Sequence, residues 1–187
     1  MVPRNGYPAG SATSLARIME DIPIRRFRPG DIEDVSRLVT GTIEASYAES
    51  YPREAIDYFL EYHTVEQILL DADRGCTFVI EPGGRIAGTG TLLGTTIKRV
   101  FVDPSRQRRG YGVLLMHALE SEALRRGVRR VDLSASLPSK RFYDRLGYTT
   151  ECEAYIPVGN GKRLDYYAMA KVLDEGRQIG RAITSVP

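Results

Sequence analysis

Cysteine and histidine are scarce in this chain of 187 residues: Cys76, Cys152, His63 and His117 are all it has. No CxxC pair occurs, and four scattered candidates do not make the close-spaced ligand set of a structural zinc site, so no metal is expected. Two buried thiols in a reducing compartment are expected rather than a disulfide. No apolar run approaches the ~20 residues that a membrane-spanning helix needs. The opening stretch MVPRNGYPAGSATSLARIMED lacks the continuous apolar core of a secretory signal. Nor does one sign of charge dominate, with 26 Lys and Arg against 24 Asp and Glu. That balance argues against a dedicated nucleic-acid binder, which carries a larger basic surplus. The default expectation is a cytoplasmic protein with neither a nucleic-acid nor a membrane partner.

What is present describes one domain with a real core, since 42% of the residues are hydrophobic. Residues 1–20 are rich in Gly, Pro, Ser and Ala without periodicity, which predicts a flexible arm, and 174–187 predicts a loose tail. Between them, 21–173 reads as a single domain. IPIRRFR is a short alternating strand candidate. A helix follows from Asp31, a candidate N-cap with Asp34 at the capping-box position, and shows Ile32, Val35, Leu38 and Val39 on one face. A second helix is predicted from Pro52 and a third short one over Val65, Ile68 and Leu69. TFVIE and RIAGTGTLL form a hairpin around Pro-Gly-Gly. TIKRVFV is a strand, then comes a long helix with Leu115, Leu119 and Ala123 in one stripe, closed by Gly127. RRVDLSA is a strand, SKRFYDRLG a short helix, and YTTECEAYIPV with RLDYYAMAKVL a final hairpin. The strand–helix–strand piece predicts a parallel pair within an otherwise hairpin-built sheet. The fold class is therefore mixed α/β, with helices on the sheet faces.

The long helix opens on QRRGYG, residues 107–112. Backbone N–H groups at a helix mouth lack partners and the helix dipole adds positive charge there, so the segment suits an anion. Gly110 and Gly112 read as residues that keep side chains out of a phosphate's way. A Walker loop would need GxxxxGK followed by Ser or Thr, which is absent. A dinucleotide fingerprint needs GxGxxG, and Leu115 stands where its third glycine belongs.

The Q-x-x-G-x-G string after RVFV, together with FYDRLGY at Phe142 to Tyr148, resembles the GNAT superfamily of acetyl-CoA-dependent N-acetyltransferases. The resemblance in element order runs from about Ile22 to Leu173. It implies a central, mostly antiparallel sheet splayed between strands four and five, IKRVFVD and RRVDLSA, with acetyl-CoA in the opening. By that resemblance Val100, Phe101 and Val102 pair with the pantetheine amides. Gln107, Arg108, Arg109, Gly110, Tyr111 and Gly112 hold the pyrophosphate, and Ser139 is a further cofactor contact. Tyr143 stands where relatives place a tyrosine acid that protonates the departing sulfur. The sequence departs from many relatives at Ser136, where they carry Asn before the FY motif.

The implied reaction is amine attack on a thioester. An alkyl amine with a pKa of ~10.4 must lose a proton, and the carbonyl oxygen needs a donor, here a strand N–H near Val102. Many relatives use a strand-four glutamate as base, but TTIKRVFV has none; Glu81, Glu44, Tyr47 or a water chain are the substitutes on offer. His63 is expected to cap a helix end as a cation, and His117 to be structural or exposed. The segment Glu44 to His63 is dense in tyrosine and acid. By the resemblance it would wall the acceptor channel, Tyr47, Tyr51, Glu54 and Tyr58 selecting a cationic amine; an ordinary helix pair with solvated acids is the other reading. The function expected is acetyl transfer to a primary amine of a small molecule or peptide, the alternative being a catalytically silent acyl-CoA sensor. The family analogy also allows a homodimer.

Overall fold

The computed structural model describes residues 23–174; the arm expected over 1–20 and all but the first residue of the expected tail lie outside the described residues. The described residues form seven strands and five α-helices. They are β1 (Ile24–Arg26), α1 (Ile32–Tyr47), α2 (Arg53–Tyr62), α3 (Val65–Arg74), β2 (Cys76–Ile80), β3 (Gly88–Leu93) and β4 (Thr96–Val102). After these come α4 (Tyr111–Arg125), β5 (Arg130–Ser136), α5 (Lys140–Arg145), β6 (Thr149–Pro157) and β7 (Arg163–Val172). The strands form one sheet in the order β1-β2-β3-β4-β5-β7-β6. Every neighbouring pair is antiparallel except β4 with β5. No helix among the described residues is long and apolar enough to cross a membrane.

The helical periodicity explains which face each helix buries. On α4, Leu115, Met116, Leu119 and Ala123 are fully covered and meet Ile80, Leu92, Ile97 and Val131 from one face of the sheet. On α1 and α3, Val35, Val39, Ile43 and Ile68 join Val79 and Phe101 from the other face. Burying one such side chain is worth roughly 1.5–3 kcal/mol, so the two apolar clusters hold the sheet between helical layers. At the start of α1 Asp31 takes the N-cap position, as the sequence predicts, but its side chain makes no capping bond, and no capping box forms with Asp34. The Asp31 carboxylate instead takes two bonds from the Arg25 guanidinium, at 2.7 and 2.9 Å, and Asp34 pairs with Arg37. The Asp31 carboxylate also accepts from the Arg28 N–H at 2.7 Å, so its oxygens are engaged on the N-terminal side of the helix. Pro52 precedes α2 as its N-cap rather than its first turn.

Strand β4 breaks its own alternation, and this decides the site. Thr91 opposes Lys98 and Thr89 opposes Phe101, so Gly90 alone faces both Arg99 and Val100. That is a β-bulge, and Arg99 takes a left-handed backbone with φ of +59°. The extra residue turns the strand over: Ile97 packs in the cluster beneath α4, whereas Phe101 packs in the cluster beneath α1. Past the bulge β4 no longer follows β5. The two share a single registered pair, Thr96 with Asp132, and the ends of the strands part.

Candidate active site

The parted strands leave an opening of about 450 Å3, within the range of small-molecule sites. Backbone of Val100 and Phe101 forms one wall, Ser134 and Ser136 of β5 the other. On its β3 side the end of β4 is paired, with Thr89 against Phe101 and Gly88 against Val102. On its β5 side it has no registered partner beyond Thr96. Free main-chain donors and acceptors in a row are what an extended ligand carrying amides can add to, as a further strand would. Val100 and Phe101 border the opening, and Val102 ends the same strand.

At the far end of β4 the loop to α4 is built from backbone geometry. Arg108 and Gly110 both have positive φ, +61° and +84°, and no side chain caps α4. Left-handed residues leading into an uncapped helix leave main-chain N–H groups free at its mouth, a geometry that suits an anion. Arg108 and Arg109 are exposed at this mouth, and Gln107 is exposed as well. Gln107 is occupied in part with the protein itself, its amide donating to the Val102 carbonyl at 3.2 Å. The two glycines differ from each other. A Cβ on Gly110 would touch nothing, so the position calls for glycine through its backbone angle. A Cβ on Gly112 would stand 3.1 Å from the Phe142 ring. Gly112 is therefore small in part to let α4 approach α5. Tyr111 is buried, its ring part of the core under α4.

Tyr143 is 7% exposed and borders the opening. Burial, with Tyr47 nearby, pushes its hydroxyl well above the ordinary phenol value. The group stays protonated through the neutral range and is a hydrogen-bond donor there. Tyr47, Ser136 and Ser139 form a polar knot beside it. The Ser136 and Ser139 hydroxyls are 2.7 Å apart. Burial raises the Tyr47 hydroxyl while those two serines pull the other way. All four residues border the opening, as does Tyr58. Tyr51 does not: its hydroxyl accepts from the Leu137 N–H at 2.7 Å and donates to the Asp165 carbonyl at 2.8 Å, tying three elements together.

The acidic residues named from the sequence go elsewhere. Glu81 binds Arg25 Nε at 2.7 Å and is not among the residues bordering the opening. Its carboxylate is engaged by that guanidinium and lies outside the opening, so its assignment to the acceptor site is corrected. Glu54 accepts from the Asn160 amide at 2.9 Å, clasping α2 to the final hairpin, and Glu44 is exposed on α1. Among the described residues, no Asp or Glu borders the opening at all. The cysteines also part company: Cys76 is buried, but Cys152 is exposed on edge strand β6.

His63, Lys98 and Arg99 escaped notice in the sequence as site residues, yet all three border the opening. The bulge turns Lys98 and Arg99 toward the same carboxylate: Lys98 Nζ and Arg99 Nη1 each lie 2.9 Å from Asp71 Oδ2. Burial would raise the Asp71 carboxyl, but hydrogen bonds from Lys98 and Arg99 hold it below the usual range. Arg99 Nε donates to His63 Nδ1 at 3.1 Å. Burial and the adjacent Arg99 and Lys98 charges depress the His63 pKa to about 3. His63 is thus neutral, not the helix-capping cation that its position at the end of α2 predicted. With Nδ1 accepting, its proton sits on Nε2, so the ring has no free lone pair and is no base. No residue type in the sequence marks a bulge at Arg99 and Val100. The one available signal was the pair of adjacent cations inside an otherwise apolar strand.

A family model described as the acetyltransferase (GNAT) family matches residues 40–148, more than half of the 187-residue chain. The chain belongs to the GNAT acetyltransferase family. Its fold is similar to that of a GCN5-related N-acetyltransferase from Rhodopseudomonas palustris, with a TM-score of 0.75 at 23% identity over 81% of this chain and 96% of that one. PaiA N-acetyltransferase from Thermoplasma acidophilum, in complex with coenzyme A, gives 0.66 at 17% identity, covering 82% and 99%. YncA from Salmonella typhimurium, with its cofactor acetyl-CoA, gives 0.61 at 21% identity, covering 87% and 99%. The [citrate [pro-3S]-lyase] ligase of Klebsiella pneumoniae is 28% identical over 137 residues, 70% of this chain. The match spans only 39% of that ligase.

Proposed function

We propose that this GNAT protein transfers an acetyl group from acetyl-CoA to a primary amine. The observation that carries the proposal is the β4–β5 opening: an unpaired strand edge leading straight to an uncapped helix mouth. Val100, Phe101 and Val102 would hold the pantetheine amides, and the main chain from Arg108 to Gly112 the diphosphate, with Arg108 and Arg109 adding charge at the rim. Bound there, acetyl-CoA supplies an activated thioester. The remaining tasks fall to the chain. A main-chain N–H at the parted end of β4 faces the developing negative charge on the carbonyl oxygen. Tyr143, kept protonated by burial, donates a hydrogen bond to the sulfur. A thiol has a pKa of ~8.5, so full proton transfer from the phenol is uphill and its role is to stabilise the thiolate until solvent supplies the proton. Ser136 and Ser139 hold Tyr47 beside it.

With no carboxylate and no basic imidazole bordering the opening among the described residues, the amine proton leaves to water. Thiol release from acetyl-CoA, measured over a panel of amines, tests the proposal. Tyr143→Phe should lower kcat by about 100-fold with coenzyme A affinity unaltered by calorimetry. Coenzyme A binding without turnover of any amine would favour the acyl-CoA sensor and defeat the transferase assignment.

A further inference from the structure

Resting on that assignment, the structure narrows the acceptor. We propose that the acceptor amine carries a free carboxylate within a few bonds of its nitrogen, as an amino acid does, and that Arg99 recognises it. Arg99 is fully buried in a wall of the opening, and its Nη2 has no hydrogen-bond partner. Its other donors are used, Nε by His63 and Nη1 by Asp71. An unpaired guanidinium corner under cover costs stability, and proteins rarely leave one without a reason. The residue also holds a left-handed backbone, a second cost at the same position. Unusual expense at one residue in the lining of a site points to use by a ligand.

Charge says what ligand. Lys98 and Arg99 contribute two positive charges against the one negative charge of Asp71, and His63 is neutral, so this wall carries a net charge of one plus. No acidic side chain borders the opening among the described residues. The acidic selectivity wall expected for a cationic amine is absent from it. A single carboxylate balances the surplus, and His63 Nε2–H stands beside Arg99 as a second donor. Arg99 directly precedes the stretch Val100 to Val102 that would hold the pantetheine, which keeps a carboxylate bound there near the cofactor. Tyr62 is 43% exposed, with its ring under Lys98 Nζ at 4.9 Å. It is the bordering aromatic with most freedom to yield as the acceptor enters.

The test compares amino acids with their own carboxamides and methyl esters as acceptors, by thiol release from acetyl-CoA at matched concentrations of free amine. Wild-type protein should favour the free acids by about 100-fold in kcat/KM. Arg99→Gln, and Asp71→Asn with Arg99→Gln should the single variant fold badly, should bring that ratio close to one while coenzyme A binding by calorimetry persists. Equal use of acids and amides by the wild type, or preference for amides or polyamines, would overturn the inference and leave the acetyltransferase assignment standing. An acid preference that survives removal of Arg99 would overturn its role. Absence of turnover on every acceptor, with coenzyme A bound, would remove the assignment itself and the inference with it.

Discussion

His63 shows at the scale of one residue how position in the fold overrides residue type. An exposed histidine at a helix end would carry a proton part of the time and favour the helix dipole. Here it is packed edge-on to Phe101 at 5.2 Å between ring centres and takes a bond from Arg99, which leaves it neutral. Its folded pKa of about 3 lies below the ordinary 6.5. Between those values the unfolded chain binds a proton that the native state refuses. Stability is therefore fully present above pH 6.5 and falls as pH drops through that window, by up to about 1.4 kcal/mol per unit. Urea unfolding at pH 7.0, 5.5 and 4.5 should show this slope in the wild type and a flatter one in His63→Asn. Parallel slopes would mean that the ring titrates as if exposed. The sequence showed the histidine and the end of its helix; it could not show the guanidinium, which arrives from a strand 36 residues away.

The loop between β4 and α4 was the most legible element. Its sequence, QRRGYG, carries both the helix start and the need for glycine, because left-handed backbone is a local property that one residue type satisfies. Gly110→Ala should cost about 1 kcal/mol in thermal or urea unfolding through backbone strain alone, since a Cβ there meets nothing. Gly112→Val should behave differently. Its side chain runs into Phe142, so we expect a loss of about 1–3 kcal/mol from overpacking and a weakened Tyr143 contribution to kcat, Tyr143 being the next residue on α5. A Gly112→Val protein with unchanged stability would show that α5 gives way freely. Bulge geometry in β4 was illegible, because the adjacent Lys98 and Arg99 do not by themselves say which residue of β3 each opposes. The mismatch arises only when β3 sets Gly90 against two residues.

Across the whole molecule, the site exists because three layers are tied at fixed distances. Tyr51 is one tie, joining the end of α1 to the segment after β5 and to β7. Tyr51→Phe should lower stability by about 1–3 kcal/mol, leaving the buried Leu137 N–H without its acceptor, and a change within error would show that water replaces the hydroxyl. Because no layer delivers a carboxylate to the opening, the reaction should follow the acceptor's own ionisation. The logarithm of kcat/KM should rise by about one per pH unit from pH 6 toward the amine pKa, and a plateau beginning near pH 7 would reveal a base on the protein. By itself the sequence determined the order of elements, the two apolar faces, the family resemblance and the residues around the cofactor loop. Those features rest on local periodicity and on backbone angles that single residues demand. Only the tertiary structure decided what borders the opening: it withdrew Glu81, Glu54 and Tyr51 into ties of their own and turned Lys98 and Arg99 onto one wall. Partner choice for a charged side chain is set by distances between remote segments, and no spacing along a chain contains them.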